Sequence, residues 1–270
     1  MSQSALSTPT LSASIAGIGF WTRGLPSWEA ACAYLADGQL PEAPANRPSP
    51  QLLAANERRR APETVAVALE VALAACTAAG RDPATLASVF TSTHGDLSIT
   101  DYMCETLASA PLTLSPTRFH NSVHNAAAGY WTIGAHAMAP ATAISALDHS
   151  FGQGLLEALV QLATGTDAVL LVAYDSAATG PIAQISRSEG LLGGALVLVR
   201  EVLPGQPRLQ ASLRDAAAGE SEAPDRLAGL VGANAMLPML PLFEALARRQ
   251  AHATIPTGHG KVLGMEIANG

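Results

Sequence analysis

"ATAISALDHSFGQGLLEALV", residues 141–160, is the stretch that decides the fold. It reads as a buried strand over 142–147, a tight turn, and a helix over 153–164. Strand–turn–helix units of this kind often hold a nucleophile at the mouth of the helix. The turn here offers Asp148, His149 and Ser150, and no cysteine.

The same alternation spreads in both directions. Strands are expected at 12–22, 88–93, 168–174 and 192–200. Helices are expected at 26–38, 62–80, 99–109 and 125–138. Pro26 and Gly38 bracket the first helix, and Pro62 and Gly80 bracket the second, as helix-start and helix-stop signals. Helix 62–80 is apolar all round, which predicts burial between layers. Residues 39–60, with four prolines, read as an ordered loop with one helical turn. The stretch 214–234 is polar and loop-like, and a last helix spans roughly 237–250. Strands alternating with Ala-rich helices predict an α/β domain whose sheet is largely parallel and covered on both faces.

Composition narrows the function. Of 270 residues, 49% are hydrophobic and 14% charged, which supplies a sizeable core and excludes a disordered chain. Only 4% are aromatic, so Ala, Leu and Val must build that core. The net charge is −7, and Lys and Arg are few and scattered, so nucleic acid is not an expected partner. The one basic cluster, "ERRRAPE" at 57–63, fits a solvated loop or a contact with an anionic partner. Cys32, Cys76 and Cys104 share no CxxC spacing and sit among apolar neighbours, so they read as buried small hydrophobes. The first residues lack the features of a signal peptide, and no apolar run reaches the roughly 18 residues of a membrane span. A cytoplasmic protein is expected.

Four segments, in order, resemble the β-ketoacyl synthases. "SPTRFHNSVHNAAAGYWTIGAHAM" (115–138) is similar to their Ser-Pro segment, in which an extended stretch leads into an Asn-x-x-x-Gly helix start. "ATAISALDHSFGQGLLEA" falls where they carry the nucleophile elbow, and "GTDAVLLVAYD" (165–175) resembles the strand after it. "RSEGLLGGALVLVREVLPGQPRLQASL" (187–213) is similar to the Gly-rich hairpin that closes their N-terminal half. The resemblance covers about 12–213, with 214–270 completing the same domain. It narrows to short proteins similar to the synthase N-terminal domain that accompany complete synthases in aryl-polyene and xanthomonadin-type pathways. It implies a thiolase-like fold with a truncated C-terminal half. It implies a chain-length-factor-like role beside a catalytic ketoacyl synthase and acyl carrier protein, as a hetero- or homodimer, with no cofactor.

The chain departs from that family at the elbow. Condensation needs a thiolate to take the acyl group. Here Ser150 or His149 matches the position, and the family's histidine-bearing C-terminal half is not present in full. The elbow therefore reads as degenerate. "DHSFG" also falls one residue short of G-x-S-x-G, so Ser150 with His252 or His259 as base would make an acyl hydrolase or acyltransferase. A free-standing module binding an acyl thioester or carrier protein is a third reading. His120 and His124 are four residues apart, the spacing of two metal ligands on one helical face. No third ligand follows and helix begins only near Asn125, so no metal is expected and both suit a subunit interface. Pocket or interface positions are expected at His120, His124, Asn125, Gly129, Phe151 and Gly152. His94 and Asp96 end a strand, where capping competes with function. The Met- and Leu-rich run 233–246 either buries an apolar face or meets a partner.

Overall fold

The computed structural model describes residues 10–217 and 226–270. The start of the chain and residues 218–225 of the polar stretch lie outside the described residues. One eight-stranded sheet organises them, in the order β3-β2-β4-β5-β1-β6-β8-β7. Its strands are β1 (Thr10–Thr22), β2 (Ala87–Thr91), β3 (Ala141–Ile144), β4 (Ala168–Asp175), β5 (Leu192–Val199), β6 (Arg208–Asp215), β7 (His252–Gly258) and β8 (Lys261–Ala268). The helices are α1 (Trp28–Asp37), α2 (Ala55–Arg60), α3 (Glu63–Ala79), α4 (Leu97–Ser109), α5 (Pro116–Asn121), α6 (Ala126–Gly134), α7 (Ser150–Ala163), α8 (Arg226–Val231) and α9 (Leu240–Ala247).

Helices cover both faces of the sheet's central strands β2, β4, β5 and β1, whereas β6, β8 and β7 bury chiefly the face that carries Leu209, Ala211, Ile255, Leu263 and Met265, so the expected two-sided cover stops short of that end. Along β4, Val169, Leu171 and Ala173 face the layer of α1, α7 and α9, whereas Leu170, Val172 and Tyr174 face α3 and α6. This two-sided burial is why β4 and β5 read as unbroken apolar runs. Helix α3 lies against β1 so closely that a Cβ on Gly17 or Gly19 would sit 2.2 or 2.0 Å from the carbonyl oxygens of Ala75 and Val71. Gly38 and Gly80 close α1 and α3 in the left-handed conformation, as the stop signals predict. Pro62 stands at the N-cap of α3, just outside the helix.

The sheet is not largely parallel. Among the described strand pairs only β2–β3 and β2–β4 run parallel, and the other five are antiparallel. A strand covered on both faces carries the same apolar pattern whichever way its neighbour runs. Nor is 187–213 a hairpin, because β1 inserts between β5 and β6 and pairs with both. The stretch expected to be extended after Ser115 is helical from Pro116, with the Ser115 hydroxyl capping it. Helix α6 stops at Gly134 rather than 138, and β3 stops at Ile144 rather than 147 and is a half-exposed strand at the sheet edge rather than a buried one. Arg58, Arg59 and Arg60 belong to α2 rather than to a loop. Cys104 is exposed on α4, so only Cys76 of the three cysteines is fully buried. The largest surprise is the antiparallel hairpin β7–β8, which follows α9 and joins the sheet through β6.

Candidate functional site

The elbow is built by β3, a 3₁₀ turn at Leu147–His149, and α7, whose first residue is Ser150. Leu147 takes a left-handed conformation (φ 52°), sparsely populated for a residue with a branched side chain. It and Asp148 point outward, while Ser150 is 1% exposed. The Ser150 hydroxyl donates to the Leu147 carbonyl (2.7 Å) and accepts from the Ala146 N–H (2.9 Å). The Thr91 hydroxyl donates to the Ser150 carbonyl (2.7 Å), and that of Thr93 to Leu147 O (3.2 Å). Each of these bonds fixes the turn, and the Ser150 hydroxyl meets only main chain. A serine nucleophile needs a general base within hydrogen-bonding reach. Among the described residues none of the histidines hydrogen-bonds Ser150, and both His252 and His259 are exposed.

The unforeseen hairpin closes this turn from the other side. A Cβ on Gly152 would lie 2.1 Å from the Pro256 carbonyl oxygen, so only glycine permits the approach of β7. Gln153 Nε2 donates to the Thr257 carbonyl (2.6 Å), and Gly258 sits against the His149 ring. "TGHGK" (257–261) thus lies on the elbow, as the end of β7 and the turn into β8. His149 Nδ1 and Thr257 Oγ1 are buried there without hydrogen-bond partners among the described residues. Phe151 packs inward with its ring centroid 6.4 Å from that of Phe243, so it and Gly152 serve the chain's own core.

A second polar cluster gathers at the C-terminal ends of β2 and β4. Asp175 is buried, and its carboxylate accepts from the Ser92 hydroxyl (2.7 Å) and the Thr93 N–H (2.9 Å). Burial raises its pKa, while those hydrogen bonds and the charge of His94 counter the rise. His94 Nε2 lies 2.8 Å from Ser186 Oγ, and His124 Nε2 lies 2.8 Å from the Ser92 carbonyl. Asp96 caps α4, accepting from Ile99 N (3.1 Å) and from the Thr64 hydroxyl (3.0 Å), so capping accounts for it. His120 stands on α5 with its ring 6.2 Å from that of Tyr130, whereas His124 follows the end of that helix. The four-residue spacing is therefore not a shared helical face. No group of three or more His, Cys, Asp or Glu is placed to hold a metal among the described residues.

The sheet ends on one side at β3, beside α6. Asn125 stands at the α6 N-cap without a side-chain cap bond, and Gly129 faces open space, with no atom within 4 Å of where its Cβ would be. Ile133 and Met138 are 74% and 95% exposed. No helix among the described residues is long and apolar enough to cross a membrane.

Sequence comparison gives the family, and structure comparison gives the fold. Residues 28–260 match the family "Beta-ketoacyl synthase, N-terminal domain". No curated protein matches the chain in sequence. A ketosynthase (ApeO) in complex with its chain length factor (ApeC) from Xenorhabdus doucetiae is similar, with a TM-score of 0.73 and 22% identity over 95% of this chain and 99% of that one. The AntDE:AntF structure, a type II polyketide synthase acyl-carrier protein in complex with its ketosynthase bound to the hexaketide, has a TM-score of 0.72 at 12% identity, over 97% of this chain and 100% of that one. The ishigamide ketosynthase/chain length factor has a TM-score of 0.69 at 14% identity, over 96% and 99%. With its three-layered thiolase-like fold and a match across most of its length, the chain belongs to the β-ketoacyl synthase N-terminal domain family.

Proposed function

We propose that this chain is a chain-length-factor-like subunit, non-catalytic in condensation. It pairs in the cytoplasm with a cysteine-bearing ketoacyl synthase and shapes the site where an acyl chain grows on acyl carrier protein, in a pathway of the aryl-polyene type. The observation that carries this reading is the elbow: it has no thiol, and the Ser150 hydroxyl is bound to main chain on both its donor and its acceptor side. Decarboxylative condensation has no nucleophile there.

Pairing is supported by the edge at β3. An unpaired strand edge flanked by exposed Ile133 and Met138 leaves apolar surface that a partner would bury. Solved structures of similar fold include ketosynthases with their chain length factors and one with an acyl-carrier protein. The open face at Gly129 suits the approach of another backbone, and on this reading His120, His124 and Asn125 belong to the contact.

The test is reconstitution. The chain is co-expressed with a full-length, cysteine-bearing ketoacyl synthase, purified by a tag on one partner, and assayed for elongation of acyl carrier protein-bound substrate. The expected result is a stable complex whose elongation requires both chains, with no condensation by this chain alone. Isolated, the chain is expected to self-associate. Condensation by the isolated chain, or a well-behaved monomer indifferent to the synthase, would refute the reading.

A further inference from the structure

The structure assigns a second chemical site, distinct from the elbow: we propose that Ser186 and His94 form a nucleophile–base pair that hydrolyses acyl thioesters. The substrate class rests on the reading above; the pair itself does not.

The geometry meets the requirements that Ser150 fails. Ser186 Oγ and His94 Nε2 are 2.8 Å apart, the separation at which a base takes a hydroxyl proton. Both side chains are partly exposed, so an acyl group can reach them. They come from the turn after β2 and the connection after β4, at the carboxyl ends of parallel strands, where α/β sheets gather their ligands.

Both segments are held in place. The turn after β2 is fixed by the Gly95 N–H, which donates to the Ser92 hydroxyl (2.9 Å). In the loop, the Ser186 N–H donates to Ile182 O (2.9 Å), and the Ala178 N–H to Ser188 O (2.8 Å). The Ser188 hydroxyl donates to Ser176 O (2.7 Å) and accepts from the Ala235 N–H (3.1 Å).

Two further features complete the chemistry. The backbone N–H of Arg187, the residue after the nucleophile, makes no hydrogen bond among the described residues. It is therefore free to receive an oxyanion, as the corresponding N–H does in hydrolases. The buried Asp175 carboxyl stands close enough to His94 for the imidazole's charge to act on it, which puts an acidic group beside the proposed base.

The reaction balances without a cofactor. His94 Nε2 takes the Ser186 proton as Oγ attacks the thioester carbonyl. The C–S bond breaks, the thiolate leaves with the proton from His94, and an acyl ester remains on Ser186. Water, deprotonated by His94, then attacks that ester. The carboxylic acid departs, Ser186 recovers its proton, and one thioester plus one water have become one acid plus one thiol.

The experiment treats the purified full chain with a fluorophosphonate probe and maps the labelled peptide. In parallel it follows thiol release from octanoyl-pantetheine. Labelling on Ser186 and steady thiol release are expected, and both are expected to fall about a hundredfold in Ser186→Ala and in His94→Gln. His94→Gln keeps a polar side chain beside Ser186 without a base, and Ser186→Cys keeps a nucleophile, so an acyl adduct on the latter guards against a folding artefact. Label elsewhere, label on Ser186 indifferent to His94→Gln, or no thiol release would overturn the proposal. Pairing with a synthase is measured separately by co-purification of Ser186→Ala. Loss of the hydrolytic pair therefore leaves the subunit reading standing, and loss of pairing leaves the hydrolytic assay interpretable.

Discussion

Replacing Gly152 by alanine tests whether the hairpin holds the elbow shut. The added methyl would lie 2.1 Å from the Pro256 carbonyl oxygen and 3.1 Å from Thr257 Cγ2. Ordinary carbon contacts begin near 3.4 Å, so β7 must retreat by more than an ångström. The obstructing atom is main chain in a paired strand, and no side-chain rotation relieves it. Overpacking of this kind costs about 1–3 kcal/mol. The retreat also stretches the Gln153–Thr257 bond, now 2.6 Å, worth about 1 kcal/mol. Against this, alanine is favoured over glycine inside a helix by about 1 kcal/mol. The balance is a loss of about 1–3 kcal/mol. At about 2–4 °C per kcal/mol for a chain of this size, thermal melting followed by circular dichroism should fall by several degrees. Gly129→Ala is the matched control: no atom beyond its chain neighbours and its own helix backbone lies within 4 Å of the new methyl, so its melting temperature should hold or rise. If Gly152→Ala melts at or above the wild type, β7 does not press on α7 and the closed elbow is wrong.

Four other outcomes are expected. Gly129→Leu should fold normally but weaken binding to the synthase about tenfold or more, as overpacking by 1–3 kcal/mol implies, measured by titration calorimetry beside circular dichroism. Ser150→Ala should lower stability by about 1 kcal/mol in urea titration, since the half-buried Ala146 N–H loses its acceptor, while product formation by the complex stays unchanged. Burial raises the Asp175 pKa, so the folded chain keeps its proton longer than the unfolded chain as pH rises. Its contribution to stability is therefore present below the ordinary carboxylate pKa and lost as pH climbs through the raised one, and Asp175→Asn should remove that downward slope in melting temperature. Exposed Cys104 should react promptly with a disulfide reagent, whereas Cys76, buried and pushed up to about 12, should react only on unfolding.

Much of the fold is legible because local chemistry and tertiary structure agree. Gly38 and Gly80 stop helices, and the strand–turn–helix at 141–160 is where its pattern puts it, whereas the apolar α3 is not buried between layers: it packs one side on the sheet and leaves Ala74, Thr77 and Ala78 exposed. Strand direction is not legible, since Leu192–Val199 is covered on both faces and carries no alternation to mark an antiparallel neighbour. The hairpin β7–β8 did leave a signal. Ala253 and Ile255 alternate with polar residues before a Gly-His-Gly turn, but Pro256 interrupts the run, and only an edge strand such as β7 tolerates it. Ser186 left almost none: a serine in a polar loop is ordinary, and its meeting with His94, 92 residues away, is made by the sheet alone.

The bonds that withdraw Ser150 from chemistry are the ones that fix where α7 starts, and α7 carries Leu155, Leu159 and Leu162 fully buried into the core. Each such side chain contributes about 2–3 kcal/mol by burial, so the turn's rigidity is tied to the packing of that whole layer. From the turn the constraint runs through Gly152 to β7, through β8 to β6, and through β6 to β1, at the middle of the sheet. A nucleophile at Ser150 would have to leave its two main-chain partners each time it reacted, loosening the start of α7 where the hairpin bears on it. The other side of the unit is under no such constraint. Strand β3 is four residues long and unpaired on one edge, Gly129 faces open space, and Ile133 and Met138 stand in water. Within this strand–turn–helix the turn is spent on architecture, and the edge is what remains free for contact with another chain.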